Sequence, residues 1–118
     1  MREDTINRIR RFSSDRDWGQ YHTPANLAKS IVIEAAELLE CFQWDEQNVK
    51  MQHVKEELAD VIVYCQNLLD ELHLDVDEIV NMKMDQNEAK YPVELARGSA
   101  AKYYELKQTA RTAGSKDN

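Results

Sequence analysis

A chain of 118 residues with 42% hydrophobic and 31% charged residues has the size and make-up of one globular domain. Its net charge of −7, from 15 Lys+Arg against 22 Asp+Glu, excludes a broad electrostatic grip on a nucleic-acid backbone, so a polyanionic ligand must be small and met locally. Cys41 and Cys65 fall apart from each other inside helical apolar patterns, as reduced thiols; with no apolar signal region and no run near the ~20 apolar residues of a membrane span, a cytoplasmic protein without a membrane partner is expected.

Three Gly and two Pro leave long segments of helical periodicity between them, which predicts an all-α fold: a four-helix bundle followed by a C-terminal arm. The first helix is expected over roughly residues 3 to 16, where Ile6, Ile9 and Phe12 make one narrow apolar stripe, and it ends before Trp18-Gly19. Thr23 as N-cap and Pro24 at the first helical position launch a second helix through the apolar run to Phe42. Asp45 is the expected cap of a third, which runs to about Leu72 with Val54, Leu58, Val61, Cys65 and Leu72 on one side. Asp75 caps the fourth, which stops at Lys90 because Tyr91 precedes a proline. Residues 93–107 then form an arm with a short helix after Ser99, completing a functional domain of 1–107, and 108–118 read as a frayed tail. The apolar stripes on helices two and three are wider than one small protomer can cover, so a homo-oligomer, dimer or tetramer, is expected.

Glu34 interrupts one of those stripes: Leu27, Ile31, Leu38 and Cys41 lie three, four or seven residues away and share its side. A carboxylate placed there must be neutral, paired or bound to a cation, because stripping water from an uncompensated charge is very costly. Glu37 stands one turn further on. The third helix repeats the arrangement, with Glu57, Asp60 and Tyr64 along one flank of its apolar face and His53 beside them. Four acids at the seam between two antiparallel helices repel one another unless a divalent cation sits between them, and all-oxygen ligation favours Mg²⁺, with Mn²⁺ as a substitute, over Zn²⁺. Acidic spacings usually mark solvated faces, which suits Glu40, Glu46 and Glu56; the central place of Glu34 and its doubling on the next helix set these four apart.

An E-x-x-E motif, a spacer of residues 38–56 and an E-x-x-D motif resemble the MazG-like nucleotide pyrophosphohydrolases of the all-α NTP pyrophosphatase group. Arg16-Asp17-Trp18, the segment HTPANLAKSI, Phe42-Gln43-Trp44, Lys90-Tyr91-Pro92 and Arg97-Gly98-Ser99 are similar to the dCTP-pyrophosphatase branch, so the likeness spans about residues 5 to 106. The resemblance implies hydrolysis of a (deoxy)nucleoside triphosphate to monophosphate and pyrophosphate, with Mg²⁺ held by Glu34, Glu37, Glu57 and Asp60. Glu37, on the rim, is the expected base for the attacking water.

The family also has a lysine and an asparagine on the fourth helix that contact the phosphates. Here Lys83, Asn87 and Lys90 are spaced to present donors from one face, with a solvated face as the competing reading. Tyr64 either orients the sugar or is a core tyrosine. Trp18 and Trp44 offer indole faces for stacking the base, against core packing as the alternative. Where mammalian dCTP-preferring members use a histidine on the first helix to read the base, this chain has Ile9, so a broader dNTP preference is expected. His22 reads as a loop or cap group and His53 as the cluster's flank rather than a ligand. Family members form dimers or tetramers with shared active sites, so the arm around Arg97-Gly98-Ser99 and Lys102 can reach a neighbour. A di-iron or di-manganese bundle would ask for two E-x-x-H motifs, which the chain lacks, and a non-catalytic interaction module has no reason to keep Glu34 on its apolar stripe.

Overall fold

The computed structural model describes residues 1–98. They form α1 (Glu3–Asp15), α2 (Pro24–Gln43), α3 (Met51–Leu72), α4 (Val76–Lys90) and α5 (Val93–Ala96), with a 3-10 turn at Trp18–Tyr21 between the first two. No strand occurs among the described residues, as the helical periodicity requires. The chain divides into two compact units, Met1–Leu74 and the part from Asp75 onward.

In the first unit, Thr23 caps α2 as expected, its hydroxyl accepting from the Asn26 N–H at 3.1 Å with Pro24 at the first helical position. The expected start of the third helix is corrected. The Asp45 carboxylate accepts from the Gln47 N–H at 3.0 Å and from Asn48 Nδ2 at 2.7 Å. It therefore closes a turn inside the loop, the local bonding by which Asp competes with a helix start. α3 begins only at Met51, with Lys50 extended before it and no side-chain cap. Its end at Leu72 has no glycine: His73 takes the left-handed conformation (φ 55°), and the Leu74 N–H reaches back to the Leu69 carbonyl at 2.9 Å.

α2 and α3 pack antiparallel. Leu27 and Ser30, early in α2, share a cleft with Tyr64 late in α3, whereas Cys41 and Trp44 meet Lys50 and His53 at the opposite end. α1 lies against α3 and is held there by Arg10, whose Nε and Nη2 donate to the two Asp70 oxygens at 3.1 and 2.9 Å; Gln66 Nε2 adds a bond to the same carboxylate at 3.0 Å. Leu27 is sealed at 1% exposure, but Val32 and Leu39, on the other side of α2, are 68% and 61% exposed. The described residues thus cover one side of α2 and leave the apolar side chains of another open to solvent.

In the second unit, Asp75 caps α4 by accepting from the Glu78 N–H at 3.0 Å, and α4 ends at Lys90 before Tyr91-Pro92. The four-residue α5 was not foreseen, being too short to show a period. The expected helix after Ser99, Lys102 and the tail 108–118 lie outside the described residues.

Candidate active site

The seam between α2 and α3 brings Glu34, Glu37 and Glu57 together, with one carboxylate oxygen of each within 4.8 Å of the others. Antiparallel packing does this: Glu34 and Glu37 are one turn apart on α2, and Glu57 faces them from α3. Asp60, one turn beyond Glu57, lies outside that tight set, yet its charge acts on both Glu34 and Glu57. Glu34 Oε2 and Glu57 Oε2 are shielded from solvent and accept no hydrogen bond among the described residues. Burial pushes the Glu34 carboxyl up to about 7, helped by hydrogen bonding to Glu37 and by the charges of Glu37, Asp60 and Glu57. Glu57 is raised too, first by hydrogen bonding to Glu37 and then by burial and neighbouring charges.

Acids crowded to this degree are relieved either by protons or by a cation. Orphaned acceptor atoms are costly and call for a partner. The donor set is all oxygen, three carboxylates converge, and two of them carry a shielded oxygen with no partner among the described residues, so the site fits a hard divalent cation.

Beside the seam, the 3-10 turn and the start of α2 enclose a cleft of about 210 Å³, lined by Trp18, Tyr21, His22, Asn26, Ser30 and Tyr64 among others. Trp18 is held edge-on against Phe12, with ring centroids 5.4 Å apart at 78°. Phe12 in turn carries the Arg16 guanidinium 3.8 Å over its ring, while Arg16 Nη1 donates to the Phe12 carbonyl at 3.1 Å. Asn26 Nδ2 donates to the Tyr21 carbonyl at 3.2 Å and fastens the turn to α2. Trp18 and Tyr64 thus share one cleft. His22 is the cap residue expected of it, its N–H bonding the Gly19 carbonyl at 3.1 Å.

Trp44 does not join them. It caps the far end of α2 at 86% exposure, so the core reading fails within the protomer, and it lines a separate cleft of about 250 Å³ with Glu40, Asp45 and His53. At 1.5 Å per residue, more than about 20 Å of α2 separates it from Ser30. His53 stands in that cleft, outside the carboxylate set. Lys83, Asn87 and Lys90 lie on α4 in the second unit, with Lys83 exposed and the other two half-buried.

The sequence reading missed Tyr21, Asn26 and Ser30. A signal existed for the last two: Asn26, Ser30 and Glu34 follow at steps of four, a polar ridge leading from the cleft to the seam.

The MazG-like family profile matches residues 29–106. The chain is 41% identical over 117 residues to dCTP pyrophosphatase 1 of Rattus norvegicus, covering 88% of this chain and 69% of that protein. The Homo sapiens protein of the same name is 38% identical over the same shares. Among solved structures, a pyrophosphatase from Archaeoglobus fulgidus superposes with a TM-score of 0.73 at 45% identity, over 76% of this chain and 91% of that one.

Proposed function

Because the chain belongs to the MazG-like family, we propose that it hydrolyses deoxynucleoside triphosphates, dCTP among them, to the monophosphate and pyrophosphate, clearing the nucleotide pool. The observation that carries this is the pair of shielded, unpartnered oxygens on Glu34 and Glu57, converging with Glu37 at the seam. Glu34, Glu37, Glu57 and Asp60 hold the cation, which we take to be Mg²⁺, with Mn²⁺ able to replace it, because every donor is a carboxylate oxygen. When bound, such an ion supplies charge neutralisation on the phosphate oxygens and a more acidic water.

The remaining work falls to side chains of this chain. Glu37 is exposed at the rim of the cluster, where its carboxylate can take the proton of the attacking water. Trp18 stacks the base, and Tyr64 faces the sugar from the same cleft. Lys83, Asn87 and Lys90 are assigned to the triphosphate as donors. Trp44 is assigned to cover the base bound by a neighbouring copy, a role its exposure at the end of α2 permits. The uncovered side of α2 then belongs to a homo-oligomer, dimer or tetramer, with domain 1–107 as the repeating unit and 108–118 as a tail. Light scattering that returned a folded, active monomer of 13.7 kDa would contradict that assembly.

Phosphorus NMR of products from a dNTP panel with Mg²⁺ tests the reaction. The expected outcome is monophosphate plus pyrophosphate; diphosphate plus orthophosphate would refute it.

A further inference from the structure

Three residues around the end of α1 make an arrangement that core packing does not explain. Phe12 and Trp18 are 47% and 43% exposed, yet their rings meet edge-on at a centroid distance of 5.4 Å. The Arg16 guanidinium lies 3.8 Å over the Phe12 ring, and its Nη1 donates to the Phe12 carbonyl at 3.1 Å, so the phenylalanine is clamped through both ring and backbone. Aromatic rings that serve only a core are withdrawn from water. These stay at the surface and are ordered there by contacts with each other.

The backbone is bent to bring them together. α1 ends at Asp15, and Asp17 takes the left-handed conformation (φ 53°) just before Trp18 comes back against Phe12. A residue other than glycine adopts that conformation at a cost. Gln20 Nε2 offsets it by donating to the Asp17 carbonyl at 3.0 Å and to Asp17 Oδ2 at 3.3 Å. Strained backbone of this kind clusters where ligands are clamped. Trp18 lines the aromatic cleft, whereas Phe12 and Arg16 stand outside it. At 78° Phe12 can cover no more than one indole face, which is what a stacking surface requires of its support.

We propose that Phe12, clamped by Arg16, is a positioning residue for nucleotide binding: it holds the Trp18 indole in the orientation in which the base stacks on it. This rests on the stacking role proposed for Trp18 above and adds the residues that prepare it. An exposed indole on a short strap has several rotamers open to it. Only the fraction already in the binding orientation takes the base, and the apparent affinity falls in proportion to that fraction. An edge-on aromatic pair shifts such a population by about 2- to 12-fold. Phe12 acts through the indole and not on the nucleotide, so its effect is the same for every base and leaves the chemical step alone.

Steady-state kinetics on a dNTP panel with Mg²⁺ test this in Phe12→Leu, Phe12→Tyr, Arg16→Met, Trp18→Ala and the double variant Phe12→Leu/Trp18→Ala. Phe12→Leu keeps an apolar side chain without a ring and is expected to raise KM by about 2- to 12-fold, by one common factor for all dNTPs and with kcat retained. Phe12→Tyr keeps the ring and holds KM near the wild-type value. Arg16→Met, at an exposed site, moves KM the same way by about 2- to 5-fold and decides the matter if Phe12→Leu does not fold. In the double variant KM equals that of Trp18→Ala alone, because a support without its indole has nothing to hold, whereas a merely structural role would add its own loss. A KM unchanged in folded Phe12→Leu or, failing that, in Arg16→Met, a fall in kcat in its place, or losses that add in the double variant overturn the positioning role and leave the stacking role of Trp18 standing. A KM unchanged in Trp18→Ala overturns the stacking role, and the positioning role with it.

Discussion

The acid seam and the aromatic cleft beside it differ in how they are built. Two long helices lying face to face fix the seam on both sides, and the crowded carboxylates of Glu34, Glu37 and Glu57 load it electrostatically. The cleft has helical walls on one side, but on the other a strap of a few residues, Asp17 to His22, held by the Phe12–Trp18 contact and by the bond from Asn26 to the Tyr21 carbonyl. Chemistry that is the same for every nucleotide needs fixed positions. In the proposed reading, base preference rests on a segment that a few substitutions can reshape without touching the reacting atoms, as is usual for specificity carried on loops.

Substitutions at the seam should therefore cost the most. Changing Glu34, Glu37 or Glu57 to Gln, or Asp60 to Asn, is expected to lower kcat more than about 100-fold with the helical circular dichroism intact, because even outer-shell partners of a metal contribute 10- to 100-fold. Two such variants with wild-type turnover would separate the seam from the reaction.

Next in size is the cleft. Trp18→Ala is expected to raise KM by about 5- to 150-fold, the range of one base–aromatic stack, for all dNTPs together and with little change in kcat. A change confined to kcat would place Trp18 with the reacting groups and erase the contrast between the two regions.

The smallest effect, on stability alone, sharpens the same contrast. The groups facing Glu34 from both helices are the carboxylates of Glu37, Glu57 and Asp60. Glu34 and Glu57 hold protons more tightly when folded than when unfolded. The contribution of Glu34 to the metal-free fold is complete below the ordinary carboxylate range and is lost as pH rises through about 7, and that of Glu57 is lost in the same direction. Melting in EDTA should show a Tm that falls between about pH 5 and pH 8. Mg²⁺ should restore it at the upper end by binding the folded state, and Glu34→Gln should flatten the profile. A metal-free Tm that climbs over the same interval would contradict the crowding.

The seam was legible in the amino-acid sequence because it breaks a strong regularity: Glu34 sits where helical periodicity demands an apolar residue, and Glu57 and Asp60 repeat the pattern on the next helix. Helix ends marked by their own chemistry, Thr23-Pro24, Asp75 and Tyr91-Pro92, were legible for the same reason. Asp45 misled because a capping side chain serves a turn as readily as a helix. Trp18 and Trp44 look alike in the chain, and only the packing of α1 and α3 around the strap separates them.

The central claim is that the converging carboxylates of α2 and α3 are a divalent-metal centre for nucleotide hydrolysis. Its most direct test is dCTP turnover by the purified chain after exhaustive chelation, followed by titration with Mg²⁺. The account predicts no pyrophosphate release in EDTA, and recovery on adding Mg²⁺ in the wild type but not in a folded Glu34→Gln variant. Full turnover in EDTA, or equal recovery in both proteins, would contradict it.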